Sequence, residues 1–156
     1  MTHPMFRCAC DPATATLVAY VWGEPLDADF EAFRRSLHEV DQAALRVQRT
    51  PATILEVLES GQRPNAAQRQ VLADTWNELN APKQVFALVT TSAMARGVFK
   101  VVNWLNPPGA RRAESVHATF VQAVHWVEKQ RGESLPRFAA LREQVAAMAR
   151  VSPRRP

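Results

Sequence analysis

The stretch Ala52-Thr-Ile-Leu-Glu-Val-Leu58 decides the fold. It is rich in β-formers, it follows the punctuating pair Thr50-Pro51, and it runs into the turn-prone segment Glu59-Ser-Gly-Gln-Arg-Pro64. That combination reads as a central strand. Downstream, Asn65 followed three residues later by Gln68 is a capping-box pattern that starts a helix carrying Val71, Leu72, Trp76 and Leu79. Asn80-Ala-Pro82 ends that helix, and Gln84-Val-Phe-Ala-Leu-Val89 is a second strand. A strand, a helix and a strand in succession make a parallel pair joined by a right-handed crossover.

The same alternation continues outward in both directions. Upstream, Thr16-Leu-Val-Ala-Tyr-Val-Trp22 reads as a buried strand, and Met5 to Cys10 as a short one, with Asp11-Pro12 turning the chain between them. Their close spacing predicts an antiparallel hairpin. Phe30, Phe33, Leu37, Val40 and Ala44 then recur at helical spacing, with Asp27 or Asp29 as cap and Glu31, Arg34, Arg35, Glu39 and Asp41 off the stripe. Downstream, Ser92 caps a helix to Leu105, and Asn106-Pro-Pro-Gly109 stops it. Glu114 to Ala118 is a candidate edge strand. Thr119 caps a helix with Val121, Val124, Trp126 and Val127, and Gly132 ends it. Ser134 is expected to cap a last helix carrying Leu135, Phe138, Leu141, Val145 and Met148.

The order implies an α/β fold: a mixed, mainly parallel sheet of four to five strands, with helices largely on one face and a C-terminal helical extension. At 156 residues, 47% hydrophobic and 22% charged, the chain has the size and composition of one globular domain. Its core is expected over about 5–131, with an amphipathic helix at 134–151 and a basic tail at 152–156. That last helix has two candidate surfaces to cover, its own domain or a second copy in a homodimer.

Charge and targeting signals narrow the partners. The net charge is +4, but the basic residues are scattered among 15 acids and cluster only near Arg150 and in Ser152-Pro-Arg-Arg-Pro156. This weighs against nucleic-acid binding, which concentrates positive charge on one face. No apolar run approaches the roughly 20 residues of a membrane span. The N-terminus lacks the order of a secretory signal, so a cytoplasmic location is expected.

Chemistry-bearing residues do not assemble into a known constellation. Cys8 and Cys10 share one face of a strand, yet no second Cys or His pair completes a zinc set, so both are expected to be reduced packing thiols. His3, His38, His117 and His125 lack metal-ligand spacing, and the five glycines are isolated rather than grouped in a phosphate loop. No catalytic residue, metal or cofactor is assigned, and a non-enzymatic role is expected.

Two loops at the carboxyl ends of parallel strands, Glu59-Ser60-Gly61 and Thr90-Thr91-Ser92, set hydroxyls beside helix starts. Turn and capping chemistry accounts for them; alternatively, Ser60 is a switch whose phosphorylation adds roughly −1.5 to −2 charge. On the helix from Ser92 to Leu105, Met94, Val98, Val101, Val102 and Leu105 form one apolar face, and Arg96, Lys100 and Asn103 the opposite one. Phe99 and Trp104 flank the apolar face and widen it to roughly 220°, about twice the usual minimum. Either two elements cover it, or part of it meets a partner.

Several of these segments together resemble the SpoIIAA-like branch of the STAS domains, the sulfate-transporter and anti-sigma-factor-antagonist fold. They are Thr53 to Leu58, Glu59-Ser60-Gly61, Ala67-Gln-Arg69, Val85 to Thr90, Arg96-Gly97, Asn103-Trp-Leu105, Val116 to Thr119, and Ala123 to Trp126. The resemblance covers Leu17 to Glu128. It implies a mixed sheet with helices mostly on one side, no cofactor, and function through protein contacts. In that family a loop serine is phosphorylated by a partner kinase. Only Ser60-Gly61 matches the loop here, with Glu59 where the pattern has a serine.

Three functions follow as expectations. The first is a regulatory or adaptor module presenting Ser60, Thr91, Ser92, Phe99 and Trp104 to another protein. The second is a domain holding a lipid or other small apolar molecule, with Phe86, Phe99, Trp104 and Trp126 lining the cavity. The third is a self-assembling structural protein joined through its C-terminal helix.

Overall fold

The computed structural model describes residues 5–23, 25–58 and 63–151. Its elements are β1 (Met5–Asp11), β2 (Thr16–Trp22), α1 (Asp27–Val47), β3 (Ala52–Val57), α2 (Ala66–Glu78), β4 (Gln84–Val89), α3 (Ala93–Leu105), β5 (Arg112–His117), α4 (Phe120–Arg131) and α5 (Arg137–Val151). The loop Glu59-Ser60-Gly61, His3 and the tail 152–156 lie outside the described residues.

The five strands form one sheet in the order β1-β2-β3-β4-β5. β1 pairs antiparallel with β2, and every other neighbouring pair is parallel. The hairpin turns at Ala15, a non-glycine residue at φ 53. There Thr14 Oγ1 donates to Asp11 Oδ2 at 2.6 Å.

The strand order explains the layering. Each crossover from β2 to β5 steps in the same direction, so right-handed connections deliver α1, α2 and α3 to one face. After β5 no strand remains to be reached, and α4 and α5 return across the other face. There α4 packs on β3, β4 and β5, and α5 on β1 and β2. Strand alternation then sorts the core. Leu17, Ala19, Phe86 and Leu88 meet Phe33, Leu37 and Val40 of α1. Val18, Ile54, Ala87 and Val89 meet Phe120 and Val127 of α4 and Phe138, Leu141 and Val145 of α5.

The C-terminal helix is therefore part of the core and not an appendage to it. Leu135, Phe138, Leu141 and Val145 are at most 2% exposed and pack on the chain's own sheet, whereas Met148, the last residue expected on that stripe, is 37% exposed. α5 begins at Arg137 rather than after Ser134. Pro136, which has no N–H to satisfy, precedes it, and Leu135 N–H donates to Glu128 at 2.6 Å.

The other caps vary in how they are made. Asn65 and Gln68 form the capping box of α2. Thr119 caps α4, and Gly132 closes it at φ 68. At the start of α1 the cap position falls to Leu26, whose N–H donates to Asp29 at 2.8 Å, while Asp27 accepts from Gln68 of α2.

Candidate functional site

The loop before α3 is built from hydroxyls, and most of them are engaged. Thr90 Oγ1 donates to the carbonyl of Val57 at 2.8 Å and accepts from Ser92 N–H at 3.1 Å. Ser92 is buried and caps α3 by accepting from Ala95 N–H at 3.2 Å. Of this pair of expected surface residues, only Thr91 is exposed. Phe99 also turns inward, stacked on Phe86 at 5.9 Å, with Trp76 edge-on to Phe86 at 5.2 Å.

Trp104 behaves in the opposite way. It is 83% exposed and continues into exposed Leu105 and Val101 along one edge of α3. The apolar face of α3 is thus divided. Its inner part looks toward the sheet, and its outer edge ends in a large aromatic ring in solvent.

The C-terminal half of α3 is pinned by a polar network that the sequence reading did not identify. Arg112 of β5 donates to Glu114 and to the carbonyl of Asn106, and its guanidinium lies 4.5 Å above the Trp76 ring. Asn103 donates to Glu114, and Asn106 to the carbonyl of Ala73. Arg112 and Glu114 are two residues apart on a strand and so share a face, which is the signal available in the sequence.

Helix α3 packs mainly against α2, and its anchors tie only its C-terminal end to β5 and α2, so the rest of it stands off the sheet. Val102 is its one buried residue. Beneath it lies an almost wholly apolar cleft of about 140 Å³, bounded by α1, α2, α3 and the sheet. Leu55 and Val57 form its floor, Phe33, Leu72, Val98 and Phe99 line it further, and Pro25, Leu58 and Pro64 also border it. A central parallel strand is ordinarily covered on both faces, yet Leu55 and Val57 are only half-buried. Of the four residues expected to line an apolar cavity, Phe86 and Phe99 do so. Trp104 lies outside, and Trp126 sits on the opposite face near His117, 5.7 Å between ring centroids.

The titratable groups have structural partners or isolated positions. Cys8 and Cys10 are free thiols on the α1 side of β1. Ser36 gives its hydroxyl proton to Ala32 O, so the Cys8 thiol donates to Ser36 Oγ, 3.0 Å away. Burial, aided by Glu39 and Asp11, pushes the Cys10 thiol up to about 11. His38 and Arg34 both contact Glu78 at 2.7 Å, and their hydrogen bonds hold that carboxyl below its ordinary value. Asp41, expected off the stripe, is completely buried and accepts from Asn80 N–H, Ala81 N–H and the Gln84 side chain. Among the described residues, no group of three His, Cys, Asp or Glu side chains is placed to hold a metal. Likewise no helix is long and apolar enough to cross a membrane.

At the far end of the sheet, Arg49, Lys83, Arg111, Arg131 and Glu133 border a polar hollow of about 510 Å³. Arg49 and Arg131 share the carboxylate of Glu133. Burial and the neighbouring Arg49 pull the Arg131 guanidinium down to about 10. Helices α1 and α4 end nearby, and cations there oppose the negative ends of their dipoles.

No family model and no curated protein matches this chain. Among solved structures, it is similar to the crystal structure of an anti-sigma factor antagonist from Mycobacterium paratuberculosis. The sequence identity is 15% and the TM-score 0.48, over 80% of this chain and 95% of that one.

Proposed function

We propose that this protein is a regulatory or adaptor module that acts by contact with another protein, and that the outer edge of α3 is the contact surface. The exposed ring of Trp104 carries this reading. A tryptophan that is 83% exposed, adjoining exposed Leu105 and Val101, keeps a large apolar area in water. Such patches are what protein contacts bury, and tryptophan is among the residues that dominate binding energy when they do. The network of Arg112, Glu114, Asn103 and Asn106 ties the end of α3, and the ring it carries, to β5 and α2.

Quantitative affinity capture tests this with three forms of the full chain: wild type, Trp104→Glu and Val121→Glu. Val121 is also exposed, but it lies on α4 across the sheet. The expected result is at least one protein retained by wild type and Val121→Glu and lost with Trp104→Glu. Identical protein sets for all three forms would overturn the reading. So would a chain that associates only with itself, by an equilibrium that Trp104→Glu abolishes in sedimentation.

A further inference from the structure

We propose that the cleft beneath α3 is a binding site for a small uncharged apolar molecule, about the size of one aromatic ring. Its volume of about 140 Å³ is close to that of engineered apolar cavities of about 150 Å³ that take up benzene. An α-helix, about 10 Å across with its side chains, is far too wide to enter it.

The chemistry of the walls selects the ligand. Phe33, Phe86, Phe99 and Trp76 contribute rings, and Leu55, Val57, Leu72 and Val98 contribute aliphatic surface. The two polar side chains at the border are already engaged. Asp29 accepts from Leu26 N–H at 2.8 Å, and Ser92 accepts from Ala95 N–H. An anionic ligand would lose its hydration there without gaining a partner, whereas an apolar one gives up no hydrogen bonds.

The position of the cleft agrees with such a role. The strand order is monotonic, so all three crossovers lie on one face and no crevice opens between crossovers on opposite faces. The available space lies instead between the helix layer and the sheet. It extends to Val57 and Leu58 at the carboxyl end of β3. Protein interiors ordinarily close such gaps to packing densities that leave few voids larger than a water molecule. Here the polar anchors tie only the C-terminal end of α3 to β5 and α2, and the gap is kept.

Methyl-resolved NMR of the full chain, titrated with benzene and separately with benzoate, is the test. Benzene should shift the methyl signals of Leu55, Val57, Leu72 and Val98 saturably and leave Ile54 and Leu141 on the other face unmoved. Benzoate should shift none of them. Val98→Phe fills the cleft and should weaken benzene binding at least tenfold; Leu72→Phe serves the same purpose if that variant does not fold. The proposal is overturned if the cleft methyls do not respond to benzene in the wild-type chain, if both faces respond alike, if benzoate binds equally well, or if a folded, filled variant binds as before. None of these outcomes depends on the Trp104 surface, so the two readings stand or fall separately.

Discussion

The imidazole of His117 is the most conspicuous polar misfit among the described side chains. Its Nε2 is buried and has no hydrogen-bond partner there. Desolvation lowers its pKa from 6.5, so the folded state favours the neutral ring. The sign of the linkage follows. The unfolded chain takes up the proton first on acidification, so the stability contributed by the neutral ring is complete above pH about 6.5 and is lost as pH falls through the lower folded value. His117→Phe removes both the orphaned nitrogen and the titration. It should raise unfolding stability by about 1 kcal/mol at pH 7 and flatten the stability decline on acidification below about pH 6.5. Urea denaturation of both proteins across that range measures this; an unchanged slope would show that the decline has another source. Asp41 is the opposite case, a charge that fits. Spaced four residues after Leu37 and three before Ala44, it lies on the buried stripe of α1, although its chemistry argued for the solvent face. Its partners stand 39 to 43 residues away in the chain, and no local pattern reveals them.

Element boundaries were legible where the backbone signal was local. β2 and β4, the Asn65 box and the Thr119 and Ser92 caps all stand where turn and capping chemistry predicted them. What each helix covers was not legible, because that depends on strand order. The apolar spacing of α5 is plain in the sequence, but its choice of surface follows from the return path after β5. On α4, the buried positions are Phe120, Ala123 and Val127, while Val121, placed on the stripe from sequence, points to solvent. A mutational contrast follows. Phe138→Ala should cost about 3–5 kcal/mol in a core that cannot collapse around the loss, whereas Val121→Ala should stay within about 0.5 kcal/mol. Denaturant unfolding of the two variants measures the difference. A mild effect of Phe138→Ala would mean that α5 is not the wall of the core described above.

For the whole molecule, the two faces of the sheet are packed to different degrees. Beneath α4 and α5, Ile54, Ala87 and Val127 are fully buried alongside the α5 stripe. Beneath α1, α2 and α3, Leu55 and Val57 are half-buried and a cleft remains. Local stability follows buried apolar contact rather than the apolar character of a segment by itself. Native-state hydrogen exchange should therefore show α3 opening more readily than α5, although α3 has the broader apolar stripe. Amides from Val101 to Asn103 should exchange on the order of tenfold or more faster than those from Leu141 to Val145, a difference of about 1.4 kcal/mol in opening free energy. Polar anchoring works against this, since Asn103, Asn106 and Arg112 tie the end of α3 to its neighbours. Asn103→Ala cuts one tie and should speed exchange in α3 while leaving α5 unchanged. Equal protection of the two helices in the wild-type chain would mean that the cleft does not weaken the helix above it.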